Sequence, residues 1–367
     1  MPSFDPNAAA APDSGVYGLP FTPEESKVIL IPVPFEATTS YGGGTSGGPE
    51  AILRASRQVD LFDLETGKPY EAGIAMLPSP KEVAEWNARA RALARPIIDA
   101  GGDLDAAPGL EGKLAEVNAL CERMNDWVYR TASTWLDAGK IVGVVGGDHS
   151  VPFGSIRAHA ERYPGMGVLH LDAHADLREA FEGFTWSHAS IFHNVMERIP
   201  EVAKLVQVGI RDVGGDELDY AAKSRGRIVD LFDTDLFRAR FDGVPWNRQV
   251  RAIVRHLPKD VYLSFDIDGL DPVLCPHTGT PVPGGLAFAE ATALVAGIVA
   301  SGRRIVGFDL CEVAPGPEGD WDGNVGARLL YKMIGWTLKS QALKSRSRAT
   351  KRTARQKRTA GRRRTAR

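Results

Sequence analysis

Cysteine is scarce in this sequence: Cys121, Cys275 and Cys311 are the only three in 367 residues, odd in number and far apart. That argues against a disulfide framework and agrees with a reducing compartment, the thiols reading as small buried hydrophobes. No apolar run approaches the roughly 20 residues that cross a bilayer, and the start, MPSFDPNAAAAPDSG, lacks the basic and apolar regions of a secretory signal. The expectation is a cytoplasmic protein with no membrane partner. Acidic residues are missing from 339–367, where 13 of the 44 Lys and Arg fall, leaving 31 basic against 46 acidic side chains in the rest of the chain. An acidic body carries a basic tail.

Residues 1–25 are rich in Pro, Ala and Gly without periodicity and read as a poorly ordered arm. Residues 26–338 read as one catalytic domain. Apolar runs at Val28–Phe35, Ile141–Val145, Val168–Leu171, Leu205–Ile210, Val261–Phe265 and Ile305–Leu310 are strand candidates. Helical periodicity separates several of them, over Glu82–Arg95, stopped by Pro96, and over Lys113–Ala138, with the turn-rich AGGDLDAAPG between. Alternating strands and helices imply an α/β fold, its mostly parallel sheet covered on both faces. The glycine-rich TTSYGGGTSGGPE lacks P-loop and dinucleotide spacing and reads as a mobile loop near the site, leading into a helix. The tail, 339–367, is low in complexity and is expected to be disordered.

Metal-grade side chains end three of these strands. LHLDAHAD places Asp172, His174 and Asp176 at period two, on one side of extended backbone. SFDIDGLDP repeats the pattern with Asp266 and Asp268, and GGDHS supplies His149. Carboxylate with imidazole suits Mn²⁺ or a similar divalent ion, and the lack of thiolates argues against structural zinc. Four carboxylates around one cation leave costly excess charge, so two divalent ions are expected. Such a pair activates water for hydrolysis. Asp148, by position, reads as orienting a ligand histidine, Asp271 as bracing its loop, and His170 as a core histidine.

In this order and at these separations, GGDHS, DAHAD, SFDIDGLDP and FDLCEVAP resemble the ureohydrolases, the family of arginase and agmatinase. The resemblance covers Val28 to Thr337. It implies a three-layer α/β/α arginase-like fold, a binuclear Mn²⁺ centre, and hydrolysis of a guanidino group to urea by a metal-bridging hydroxide. It also implies a homo-oligomer, a trimer or hexamer. By motif position, His149, Asp172, Asp176 and Asp266 would bind one ion and Asp172, His174, Asp266 and Asp268 the other. Asp176 would also accept a hydrogen bond from the hydroxide, Glu312 would pair with the guanidinium, and His188 would shuttle protons.

Substrate choice lies in the loops. Arginase follows its DAHxD motif with small polar residues, whereas LREAFEGFTWSHAS brings Phe181, Phe184 and Trp186, which disfavours arginine. This stretch and CPHTGTPVPGG resemble an agmatinase-like branch that includes guanidine hydrolases, some preferring Ni²⁺. Agmatine and free guanidine are therefore the substrate candidates, with guanidinobutyrate and arginine as alternatives. Glu179 or Glu182 could meet the amine of agmatine, and Arg178 a carboxylate. A further alternative, a nucleic-acid-associated protein, rests on the tail, whose charges suit weak, non-specific phosphate contact.

Overall fold

The computed structural model describes residues 4–104, 109–317 and 319–364, with side chains through residue 342. Within those residues eight runs, most of them rich in Val, Ile and Leu, form strands. They are β1 (Val28–Val33), β2 (Ile74–Met76), β3 (Ile141–Gly146), β4 (Met166–Leu171), β5 (Val202–Ile210), β6 (Ile228–Phe232), β7 (Asp260–Asp266) and β8 (Arg304–Cys311). They make one sheet in the order β2-β1-β3-β8-β7-β4-β5-β6, with every pairing parallel. Each central strand is buried on both faces, which is why it reads as a continuous apolar run.

Among the described residues, ten α-helices cover the sheet: α1 (Gly48–Ser56), α2 (Lys81–Asp99), α3 (Glu111–Asp137), α4 (Phe153–Arg162), α5 (Ile191–Arg198), α6 (Gly215–Lys223), α7 (Asp233–Phe241), α8 (Trp246–Val254), α9 (Phe288–Ala300) and α10 (Trp321–Arg364). Alternate strand residues face opposite layers. Leu30, Val145, Leu169 and Leu310 pack with Ile52 of α1, Ile253 of α8, Leu294 of α9 and Met333 of α10. Ile31, Val144 and Val168 pack with Trp86 of α2, Met124 of α3, Ile156 of α4 and Val195 of α5. The expected three-layer α/β/α architecture is present.

Four local expectations are corrected. Pro96 lies inside α2; it removes one backbone bond, and the burial of Ile97 beyond it carries the helix on. Part of the N-terminal arm packs firmly, because Val16, Tyr17 and Leu19 are buried and Tyr17 donates from its hydroxyl to the Ala327 carbonyl at 3.0 Å. The glycine-rich loop is tied down rather than loose. The buried Glu36 carboxylate accepts from the backbone N–H of Gly44 and Thr45 at 2.7 and 2.8 Å and from the hydroxyls of Thr45 and Ser46. Finally, the tail continues α10 to Arg364, since Ala, Arg, Lys and Gln are good helix formers and an established helix propagates without a new nucleus. Residues 1–3 of the arm, 105–108 of the turn and 365–367 of the tail lie outside the described residues.

Candidate active site

Strands β3, β8, β7 and β4 are consecutive in the sheet and parallel, so their carboxyl ends share one edge. The register pairs Asp266 with Cys311 and Leu171 with Phe265, so the chain leaves the sheet at one level at Asp172, Asp266 and Glu312. His149 joins them from the turn after β3, the crevice position expected for an open α/β sheet. All six metal-ligand candidates meet there, and His174 alone among them is not buried.

The geometry fits two divalent cations. His149 Nδ1 lies 3.0 Å from Asp172 Oδ2, 3.4 Å from Asp176 Oδ2 and 3.3 Å from Asp266 Oδ2. One ring nitrogen cannot satisfy three carboxylates, and among the described residues no Lys or Arg pairs with any of them. His174 Nδ1 lies 3.1 Å from Asp268 Oδ2 and 3.5 Å from Asp172 Oδ1. Asp172 thus turns one oxygen toward each histidine. Backbone amides hold the other oxygens: Asp268 N donates to Asp266 Oδ1 at 2.8 Å, and Ala173 N to Asp268 Oδ1 at 3.0 Å.

Crowding shifts the acids accordingly. Burial, with the charge of Asp172, lifts Asp176 to about 7. Burial also lifts Asp266, with Asp268 and Asp172 adding to it. Burial opposes charge on His174, yet Asp268 and Asp172 outweigh it and push its pKa up to about 12. Such a cluster needs cations, whether protons or metals.

Two neighbours that orient the ligands were not picked out in the sequence. Ser264 donates to Asp309 at 2.9 Å, so its oxygen must accept from His149 Nε2, 3.0 Å away. Nε2 therefore carries a proton, and Nδ1 faces the carboxylates. Asp148 was expected in that role; instead it accepts from Ser150 N at 3.0 Å, bracing the turn. His170 is buried as a core histidine would be, but its Nε2 lies 2.7 Å from Asp172 Oδ2, so it belongs to the site. Asp271 accepts from Val273 N at 3.0 Å within its loop. A polar residue inside an apolar strand, as in Phe308-Asp309-Leu310, was the available signal, because a buried polar group needs a partner.

Glu312 follows β8 with φ of 63°, and Asp176 has φ of 55°, a left-handed backbone that costs a glutamate of order 1 kcal/mol or more. Glu312 Oε1 accepts from His149 N at 2.9 Å, while Oε2 is buried without a partner. Burial and the charge of Asp148 raise its pKa well above the usual range. A cation could restore its charge.

His188 lines a cleft of about 160 Å³ with Ser40, His174, Asp176, Arg178 and Thr280. Burial and the charge of His174 lower its pKa to about 4, so it stays neutral. Of the three loop aromatics only Phe181 lines this cleft. Phe184 is fully buried, and Trp186 packs on Phe153 with ring centroids 4.9 Å apart, so neither lines the cleft. Arg178 and Glu217 also border a neighbouring depression of about 660 Å³, lined by Glu179, Asp216 and Asp219. Glu182 lines neither cavity.

The arginase family profile matches residues 26–335. An N(1)-aminopropylagmatine ureohydrolase of Thermus thermophilus is 36% identical, with 87% of this chain and 94% of that protein covered. A Bacillus anthracis agmatinase is 32% identical, with 85% and 93% covered. The solved structure of proclavaminate amidino hydrolase from Streptomyces clavuligerus superposes with a TM-score of 0.69 at 25% identity, covering 91% of this chain and 100% of that one. The strand-end cluster, the parallel three-layer sheet and these matches agree: the chain belongs to the arginase family and is a hydrolase acting on amidine carbon–nitrogen bonds.

Proposed function

We propose that the protein hydrolyses a small, amine-ended guanidino cation of the agmatine type to urea and an amine. The observation that carries this reading is the buried, unpartnered Glu312 Oε2 beside a carboxylate-rich metal-type cluster. A planar guanidinium is its natural complement, through charge-assisted, bidentate hydrogen bonds.

Two Mn²⁺ ions, or Ni²⁺ in their place, would be held by His149, Asp172, Asp176 and Asp266 on one side and by Asp172, His174, Asp266 and Asp268 on the other, supplying a water acidified toward neutral pH. Glu312 fixes the guanidinium plane. Asp176 accepts a hydrogen bond from the attacking water and so aims it at the central carbon. The proton that the attacking water gives up as the carbon–oxygen bond forms is taken up on the free ring nitrogen of neutral His188, on the cleft wall, which delivers a proton to the departing nitrogen as the carbon–nitrogen bond breaks.

Agmatine-type substrates are favoured because Arg178 and Glu217, which line the cleft, also border a neighbouring depression bearing Glu179, Asp216 and Asp219, carboxylates that suit an amine end. Relatives at 36% and 32% identity carry names for substrates of this kind. Free guanidine is the second reading, supported by the small inner cleft. Anionic guanidinobutyrate or arginine would need Arg178 as partner, but Glu217 already pairs with it at 3.6 Å. The trimer or hexamer and the tail's weak nucleic-acid contact remain part of the proposal, apart from the chemistry.

Urea release from agmatine, N(1)-aminopropylagmatine, guanidine, 4-guanidinobutyrate and arginine, with Mn²⁺ and Ni²⁺ supplied separately, tests the reading. Turnover of an amine-ended substrate supports it. Guanidine turnover alone selects the second reading, and silence on all five with both metals bound refutes both.

A further inference from the structure

One layer beneath the candidate ligands, a polar row crosses four adjacent strands. Gln207 of β5 pairs in register with His170 of β4, His170 with Ser264 of β7, and Ser264 with Asp309 of β8. All four side chains are fully buried amid Val, Leu and Phe. Ser264 and Asp309 set the proton of His149, as described above. The other half of the row acts on Asp172.

The Gln207 amide nitrogen lies 2.6 Å from the Ala175 carbonyl oxygen and 2.8 Å from His170 Nδ1. A carbonyl only accepts, so the amide must turn its NH₂ that way; flipping it would set two oxygens against each other without a hydrogen between them. With one N–H spent on Ala175, the other meets His170 Nδ1, which must accept. The imidazole proton therefore sits on Nε2 and is donated to Asp172 Oδ2, 2.7 Å away. Phe192 packs on the imidazole, ring centroids 4.0 Å apart, and holds its plane. Asp172 Oδ1 accepts from His174 N at 2.6 Å, so both carboxylate oxygens are aimed by the chain itself.

We infer that Gln207 and His170 are positioning residues that fix the orientation in which Asp172 serves both metal positions, an inference that rests on the proposed function for the role of Asp172. His170 is not a ligand: its Nε2 carries the proton and its Nδ1 is taken by Gln207. Without the Gln207 donor, His170 is free to take the other tautomer, which turns a lone pair toward Asp172 and lets the carboxylate rotate.

Chelator competition with Mn²⁺ on the full chain, for the wild type, Gln207→Met, His170→Leu and His170→Gln, tests this. Melting each variant in chelator establishes that it folds, and Gln207→Met carries the test if His170→Leu does not. The wild type is expected to bind two ions. His170→Leu and Gln207→Met should bind Mn²⁺ about 10- to 100-fold more weakly, the range for loss of a ligand's hydrogen-bond partner. His170→Gln, whose amide N–H stands near the position of Nε2, should recover affinity to within a few-fold of wild type. Unchanged affinity in His170→Leu or Gln207→Met would overturn the positioning role and leave the proposed function standing. Equal loss in His170→Gln and His170→Leu would overturn it by making His170 a ligand, and a wild type that binds no metal would overturn both readings.

Discussion

At the residue scale, the site depends on where charge and hydrogens are held. Glu312 keeps one oxygen free for a cation, and an amide there keeps the bond from His149 N but loses the charge. Glu312→Gln should therefore lower kcat/KM by about 10- to 100-fold, the worth of a charged hydrogen bond, with two metals still bound. Elsewhere, burial, with the charge of Glu217 adding to it, raises Asp230 in β6 to about 6, and its Oδ1 has no partner. A carboxyl raised on folding favours the fold below its unfolded pKa, near 4, and loses that contribution as pH climbs through 6. Asp230→Asn should thus match the wild type at pH 4 and be about 1–2 kcal/mol more stable at pH 7.5, discounted for the part of the group that faces solvent. Urea unfolding at the two pH values checks this. The metal-type residues were legible in the sequence because period-two carboxylates at a strand end are unusual. Gln207, Ser264 and Asp309 were not picked out, because each is a single polar residue whose partner lies on another strand.

At the scale of elements, strand-to-helix contact leaves no slack. A Cβ on Gly307 of β8 would come within 2.1 Å of His159 Nε2 in α4. His159 cannot retreat, since its Nδ1 bonds the Ser155 carbonyl at 2.7 Å and its ring packs edge-on to Tyr262 at 5.0 Å. Gly307→Ala should cost about 1–3 kcal/mol, as overpacking does, read as a lower urea midpoint at unchanged slope. Six of the eight strands were legible as apolar runs. β2 escaped because it has three residues, and β6 because only Ile228 is buried, so neither makes a long apolar run. Pro96 misled because a proline near a helix end removes a single bond that packing readily offsets.

At the scale of the whole molecule, the folded body reaches past the expected boundary at residue 338. Ser340 Oγ accepts from Ile305 N at 3.1 Å and Gln341 donates to Ile305 O at 3.2 Å, tying α10 to β8. Removing 345–367 should leave Tm within about 1 °C of wild type, as for changes away from packed features, and leave turnover intact, while any salt-sensitive RNA binding is lost. Removing 336–367 also deletes Trp336, Thr337 and Ser340, all buried, and should cost about 3–5 kcal/mol or more. Tail composition signalled charge correctly, but not that its backbone extends a helix already anchored on the sheet. On this geometry, four parallel strand ends together build one two-cation site. Anomalous diffraction from crystals grown with Mn²⁺ tests it most directly. Two peaks about 3.5–4 Å apart are expected, one beside His149 and one beside His174, with Asp172 between them; a single peak, or none at these residues, would rule out a two-cation site.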